Sequence, residues 1–186
     1  MKKNLILFLL LFSNSSFSSY QFETVLDNLD DAWSFVFLSE DRILYTEMPG
    51  KLKIASLSDK TIVNIDNVPG VQYSGQGGLS EVALDPEFES NQKIYFSYSS
   101  KDENGKSTLF LSSAELRDNA LVNSKVIFKA NAPRRSPVHL GAKIAFLKDG
   151  TILLASGDGF DHREQAQTLD NHFGKIIRIN NRIPLN

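Results

Sequence analysis

Three polar side chains stand next to glycines at the ends of apolar runs. Gln76 lies in GQGGLS, His139 in SPVHLGAKIAF, and Asp158 between two glycines directly after a strand-like run. A glutamine side chain offers a hydrogen-bond donor and an acceptor, and an imidazole accepts a proton near neutral pH without a large environmental shift. Glycines let the backbone take a positive φ and let a ligand approach closely. Together these residue types could bind a hydroxyl-bearing ligand and remove its proton.

Taken alone, each residue is also consistent with a structural role. The glycine-rich stretch around Gln76 can be a tight connection between strands with the side chain in water, and a single histidine such as His139 is often packed or solvated. We assign no role to His162 and His172, which lie in the polar segment DGFDHREQAQTLDNHFG. The acids of that segment lack the spacing of the twelve-residue calcium loop, so we assign no metal ligand.

Short apolar runs bounded by Gly, Pro, Asn and Asp must position these residues. Most are too short for helices and are rich in β-branched and aromatic residues, so the chain is predicted to be all-β. The runs are Ala32–Phe37, Ile43–Tyr45, Leu52–Leu57, Ile62–Ile65, Val82–Leu84, Ile94–Tyr98, Thr108–Ala114, Val126–Phe128, Ile144–Phe146, Ile152–Ala155 and Ile176–Ile179.

A repeat favours one all-β architecture. FLSEDRILYTE and FLKDGTILLAS share a strand, an acidic turn and a second strand, and VALDPEFESNQKIYFSYS is a third copy with a longer turn. Such units are typical of β-propeller blades, whereas a β-sandwich would lack this longer period. Only about three to three and a half blades are present, fewer than the four to eight that close a propeller, and the chain stops after NRIPLN. We therefore expect an incomplete propeller with exposed sheet faces.

Composition excludes several classes of protein. The chain has no cysteine, which rules out disulfides and thiolate metal sites. Residues 1–18 are predicted to be an export signal, because their apolar run is too short to span a membrane, and residues 19–186 form the propeller part. Removing that signal deletes Lys2 and Lys3 and changes the formal net charge from −2 to −4. Nucleic-acid binding is not expected, and we interpret Arg134 and Arg135 as a pair in a solvated loop.

Several linked motifs resemble one enzyme family. GQGGLSEVALDPEFESNQKIYFSYS, HLGAKIAFLKDGTILLASGDG and AQTLDNHFGKIIRIN occur in the order and spacing of the soluble glucose/sorbosone dehydrogenases, which include the PQQ-dependent aldose sugar dehydrogenases. The resemblance implies a six-bladed propeller of about twice this length, with PQQ in a cleft over the channel and calcium assisting it. Together with the predicted signal, it indicates an exported, periplasmic or secreted enzyme without stable membrane insertion. That enzyme oxidises the C1 hydroxyl of an aldose to a lactone and passes the electrons to a further acceptor.

The same resemblance implies a role for each polar residue. His139 matches the general base that takes the proton of the anomeric hydroxyl as hydride passes to PQQ. Gln76 matches a residue that contacts both PQQ and the reacting hydroxyl, and Asp158 matches an aspartate that lines the cleft on the substrate side. The flanking glycines are then expected to clear space for the cofactor and the sugar.

Departures and absences limit this assignment. Glu81 stands where aspartate is frequent, and Lys143 where arginine is usual. The residues that hold the PQQ carboxylates and most calcium ligands are expected beyond Asn186, so this chain alone should bind PQQ poorly and be inactive. Two alternatives stay open, a non-catalytic propeller that binds carbohydrate or protein and a calcium-dependent lactonase.

Overall fold

The computed structural model describes residues 20–180, which form an almost purely β structure. The predicted signal at residues 1–18 and the terminal NRIPLN motif at residues 181–186 lie outside these residues. The strands are β1 (Ala32–Phe37), β2 (Arg42–Glu47), β3 (Lys51–Ser56), β4 (Ile62–Asn64), β5 (Leu79–Leu84), β6 (Lys93–Lys101), β7 (Ser107–Arg117), β8 (Ala120–Lys129), β9 (Gly141–Phe146), β10 (Ile152–Ser156) and β11 (Lys175–Ile179). A short helix α1 (Phe88–Asn91) precedes β6, and a 3₁₀ helix (Arg163–Gln167) lies between β10 and β11.

These strands build three antiparallel meander sheets in chain order. The orders are β1-β2-β3-β4, β5-β6-β7-β8 and β9-β10-β11. Each apolar run of the sequence falls on one strand, so the all-β prediction is confirmed. The repeat is confirmed as well, because the Leu38 N–H donates to Arg42 O at 2.8 Å in the first sheet, and the Leu147 N–H donates to Thr151 O at 2.9 Å in the third. The sheets are successive blades of a partial β-propeller.

The first strands of the blades lie side by side, with β1 packed against β5 and β5 against β9. One apolar cluster fills the interface of the first two blades and includes Leu44, Leu79 and Phe96. A second cluster, including Leu111 and Ile144, joins blades two and three. Each blade thus buries one face against the next, as the short amphipathic strands require.

A hydroxyl group crosses each of these two interfaces. Thr46 Oγ1 on β2 donates to Ser80 O on β5 at 2.6 Å, and Ser97 Oγ on β6 donates to Ala142 O on β9 at 2.7 Å. The two donors occupy equivalent positions of the repeated second strand. Both are buried, so each bond fixes how one blade sits on the next at the end where β5 and β9 begin.

The ends of the arc expose apolar side chains. Trp33, Phe35 and Phe37 alternate along β1 and are each more than half exposed, and Ile176 is exposed on β11. Such residues on an unpaired sheet face are what a blade shows before a neighbour covers it. Within residues 20–180, no helix is both long and apolar enough to cross a membrane.

Tyr45 leads to a prediction about stability at alkaline pH. Burial, and then the negative charge of Glu47, raises the pKa of Tyr45 to about 12 from the ordinary value of 10.0. The folded state therefore holds this proton more tightly than the unfolded state. The resulting stabilisation is complete below pH 10 and is lost as the pH rises from 10 to 12.

Phenylalanine has no hydroxyl to titrate. We therefore expect the Tyr45→Phe protein to lose up to about 2 kcal/mol less of its free energy of unfolding at alkaline pH than the wild type. Near pH 7 the substitution should not lower stability, because the Tyr45 hydroxyl is buried without a hydrogen-bond partner in the described structure and no hydrogen bond is lost. Denaturant unfolding of both proteins between pH 8 and 12 measures the difference. If the free energies of unfolding of the two proteins change with pH in parallel, the pKa of Tyr45 is not raised in the folded state.

Candidate active site

A cleft of about 420 Å³ opens at the end of the arc where β1, β5 and β9 begin. Loops that precede first strands, and the turn after β2, supply its walls. It is lined by Trp33, Met48, Gly75, Gln76, Ser80, His139, Leu140 and Gly141. One part of this surface is apolar and another carries an amide, a hydroxyl and an imidazole, which is typical of a small-molecule site.

Gln76 joins the loops that precede the second and third blades. Its backbone N–H donates to Pro137 O at 2.9 Å. Its side-chain Oε1 accepts the backbone N–H of His139 at 2.8 Å. The glutamine thus fixes the position of the histidine in the chain while its own side chain lines the cleft.

The glycines around Gln76 serve chain packing. A Cβ on Gly77 would lie 2.4 Å from Ser99 Oγ and 2.5 Å from Pro137 Cβ. Gly78 has φ +154°, and a Cβ there would lie 2.1 Å from Met48 O. The expectation that the glycines clear space for cofactor and sugar is wrong for these two residues, because the space beside them is filled by the protein.

His139 is held in a backbone conformation that is uncommon for a residue with a side chain. Its φ is +48°, in the left-handed region where histidine is tolerated better than β-branched residues. The Gln76 side chain holds its N–H, and its carbonyl packs against Gly157, where a Cβ would come within 2.0 Å. Strain that neighbouring contacts maintain is common at functional sites.

Asp158 contacts the imidazole of His139 from the turn after β10. Asp158 Oδ1 lies 2.8 Å from His139 Nδ1 and accepts the Phe160 N–H at 3.0 Å. The Phe160 N–H, followed by the His139 ring, lowers the pKa of Asp158 below its ordinary value. An ionised carboxylate only accepts hydrogen bonds, so His139 donates through Nδ1–H and, when neutral, keeps the lone pair on Nε2. This is the arrangement of a general base with an orienting acid.

The structure thus brings Gln76, His139 and Asp158 into one connected group, although the loops that carry them are far apart in sequence. His139 and Gln76 line the cleft, and Asp158 lies against Nδ1 of the ring. The His139 side chain is 42% exposed, so it remains accessible to a ligand.

Arg134 corrects the sequence interpretation. The side chain was expected in a solvated loop together with Arg135, but it is 1% exposed, whereas Arg135 is exposed. Its guanidinium donates to Ala132 O at 2.8 Å and to Gly157 O at 2.9 Å. Burial lowers the pKa of Arg134 to about 10, so the group is still charged at neutral pH. No local pattern distinguishes a buried arginine from an exposed one beside it.

The two residues expected to depart from the motifs that the sequence resembles, Glu81 and Lys143, contact each other. Lys143 on β9 forms an ion pair with Glu81 on β5, between the second and third blades. Glu81 is mostly buried and Lys143 is mostly exposed. Glu81 and Lys143 therefore form an ion pair although glutamate is longer than aspartate. A lysine lacks the two parallel donors with which an arginine could bind the same carboxylate.

The remaining histidines lie elsewhere. His172 Nδ1 accepts the backbone N–H of Asn131 at 2.7 Å, and burial, then Lys175, lowers the pKa of His172. His162 stacks on Phe173 with ring centroids 4.5 Å apart. Across residues 20–180, no group of three or more His, Cys, Asp or Glu side chains converges to hold a metal ion.

Comparison with known proteins agrees with this fold. The sequence profile of the Glucose / Sorbosone dehydrogenase family matches residues 29–183. The chain belongs to this family. The aldose sugar dehydrogenase of Escherichia coli is 29% identical, over 84% of this chain and 43% of that protein. A solved glucose dehydrogenase is 32% identical and superposes with a TM-score of 0.79 over 86% of this chain and 50% of its own.

A third glucose/sorbosone dehydrogenase relative shows the fold. The PQQ-bound aldose sugar dehydrogenase of Streptomyces coelicolor superposes with a TM-score of 0.73 at 23% identity, over 88% of this chain and 49% of that one. The chain spans about half the length of the relatives it matches.

The cleft of this family member suits one side of PQQ better than the other. Gln76 and His139 line the cleft with polar groups that could hydrogen-bond to a carbonyl or hydroxyl of such a ligand. No lysine or arginine is among the residues that line the cleft in the described part of the chain, although PQQ carries three carboxylates. The residues present thus fit the reacting side of the cofactor and leave its carboxylates to other groups.

Proposed function

We propose that this chain provides the proton-accepting half of a PQQ-dependent aldose dehydrogenase that oxidises the C1 hydroxyl of a sugar to a lactone. The observation that carries the proposal is the His139–Asp158 pair at 2.8 Å beside the cleft. Family membership, and relatives named as aldose sugar and glucose dehydrogenases, support an oxidoreductase acting on a sugar.

In this proposal His139 Nε2 accepts the proton of the C1 hydroxyl. Asp158 keeps the other ring nitrogen protonated and stabilises the imidazolium that forms. Gln76 fixes the backbone of His139 and presents its carboxamide to the cofactor and the reacting oxygen. Asp158 is also proposed to contact the substrate at the edge of the cleft.

PQQ, when bound, supplies the two-electron acceptor for the hydrogen on C1, and its presence in the Streptomyces relative supports its use here. Calcium is proposed to assist the cofactor through ligands outside residues 20–180. A further electron acceptor is proposed to take the electrons from the reduced cofactor. Export through residues 1–18 to the periplasm or the exterior completes the proposal.

A hybrid protein tests this function, because the chain matches only half of its relatives. Residues 20–180 replace the corresponding segment of the E. coli aldose sugar dehydrogenase. We expect the hybrid to reduce a dye when an aldose is present, and only when PQQ has been added. The chain alone should bind PQQ far more weakly, since each missing charge-assisted contact is worth about 1.5–3 kcal/mol.

Two results would favour the alternatives. Calcium-dependent ester hydrolysis without PQQ would indicate a lactonase. A folded hybrid that binds PQQ and sugar without any dye reduction would indicate a binding propeller and contradict the proposal.

A further inference from the structure

We propose that Arg134 is a positioning residue of this site that acts through Asp158. Its buried guanidinium fixes the turn at residues 157–159 so that Asp158 accepts the Nδ1–H of His139, leaving Nε2 free to take a proton. The role of Nε2 as proton acceptor rests on the proposed function. The hydrogen-bond geometry that Arg134 maintains is independent of that function.

Arg134 is anchored at both ends. Its backbone N–H donates to Ser107 O at 2.7 Å, and its carbonyl accepts the Ser107 N–H at 2.9 Å. Its guanidinium lies over the ring of Phe173, 5.1 Å from the centroid. Such contacts leave this side chain little freedom, so the groups it binds are held in place.

The turn that carries Asp158 is folded around this guanidinium. Gly157 O accepts two hydrogen bonds, from Arg134 Nη2 at 2.9 Å and from the Gly174 N–H at 3.0 Å. A Cβ on Gly159 would lie 3.0 Å from Arg134 Nε and 2.9 Å from a ring carbon of Phe173. Asp158 thus lies between Gly157, which accepts a hydrogen bond from Arg134, and Gly159, where Arg134 and Phe173 leave no room for a side chain.

Charge also links the two residues. The positive charge of Arg134 and the carboxylate of Asp158 attract each other, and Arg163 attracts Asp158 as well. Asp158 is therefore attracted by Arg134, by Arg163 and by the protonated form of His139. Such surroundings keep it an acceptor for the imidazole.

Stability alone does not explain a cation in this position. Burying a guanidinium carries a large desolvation penalty, and Arg134 Nε has no hydrogen-bond partner in the described structure. A buried apolar side chain of similar volume is often equally or more stabilising. The gain from Arg134 is instead the fixed position of the turn.

The tautomer of neutral His139 tests the proposal without cofactor or substrate. Nitrogen NMR of the ¹⁵N-labelled chain, recorded after the His139 ring has been titrated to its neutral form, distinguishes Nδ1–H from Nε2–H. We expect mainly Nδ1–H in the wild type and a reversal to mainly Nε2–H in Arg134→Met. Asp158→Asn provides a reference that lacks the carboxylate. Arg135→Met is the matched control, because it removes one charge from the exposed neighbour, and should leave the ratio unchanged.

Arg134→Lys covers the case in which the methionine variant does not fold. Lysine keeps the charge but lacks the fork that reaches Ala132 O and Gly157 O together, so the ratio should move toward Nε2–H by a smaller amount. A folded Arg134 variant with an unchanged ratio would overturn the proposal, as would a wild type that is mainly Nε2–H. Failure of sugar oxidation in the hybrid, with this tautomer response intact, would contradict only the proposed function.

Discussion

Replacing His139 by asparagine is expected to lower kcat for aldose oxidation in the hybrid protein by about 10²–10⁴-fold, the usual contribution of a general base. Asparagine is chosen because it tolerates the left-handed backbone, φ +48°, that His139 adopts. It cannot take up a proton at neutral pH. The fall should therefore appear in kcat, with PQQ still bound, as measured by dye reduction and cofactor absorbance.

His162→Asn is the matched control for this substitution. His162 stacks on Phe173 and does not line the cleft, so its replacement should leave kcat within about twofold of the wild type. A His139→Asn hybrid that retains a third or more of the wild-type kcat would show that another group accepts the proton.

Gly157→Ala is expected to destabilise the folded chain by about 1–3 kcal/mol or more and to displace His139. A Cβ at this position would lie 2.0 Å from His139 O and 2.6 Å from His139 C. Both are backbone atoms, so no side-chain rotation can relieve the clash. The turn and the histidine must separate, which would also break the bond between His139 and Asp158.

Denaturant unfolding of the chain measures the stability change, and the His139 tautomer measures the displacement. Gly70→Ala is the control, because a Cβ there meets nothing within 4 Å. It should change the free energy of unfolding by at most about 0.5 kcal/mol. Equal stabilities of the two alanine variants would show that the backbone around Gly157 yields easily.

The strands were predictable because their signal is local. Short runs rich in β-branched and aromatic residues, such as Ile94–Tyr98, indicate an extended chain wherever they pack. Repetition of the strand–turn–strand unit then indicated blades, because each unit can bury its faces only against another. Flanking glycines at strand ends singled out His139, Gln76 and Asp158, and the family motifs supplied their expected roles, which the residue types alone left open.

What each polar residue contacts could not be predicted from sequence. Gln76 and His139 are 63 positions apart, and their hydrogen bond depends on how two blades pack. Gly77 and Gly78 looked like room for a ligand, but the space is taken by Ser99, Pro137 and Met48. Local sequence cannot say whether the atoms beside a glycine will be protein or ligand.

The sequence by itself determined the strands, their grouping into blades and the family to which the chain belongs, because these follow from periodicity and motif order. Only the tertiary structure decided that Asp158 meets His139 Nδ1, that Glu81 meets Lys143 and that Arg134 is buried beneath the turn. Burial and pairing of charged groups arise where separate loops converge, and the free energy of a charge depends on that complete surrounding.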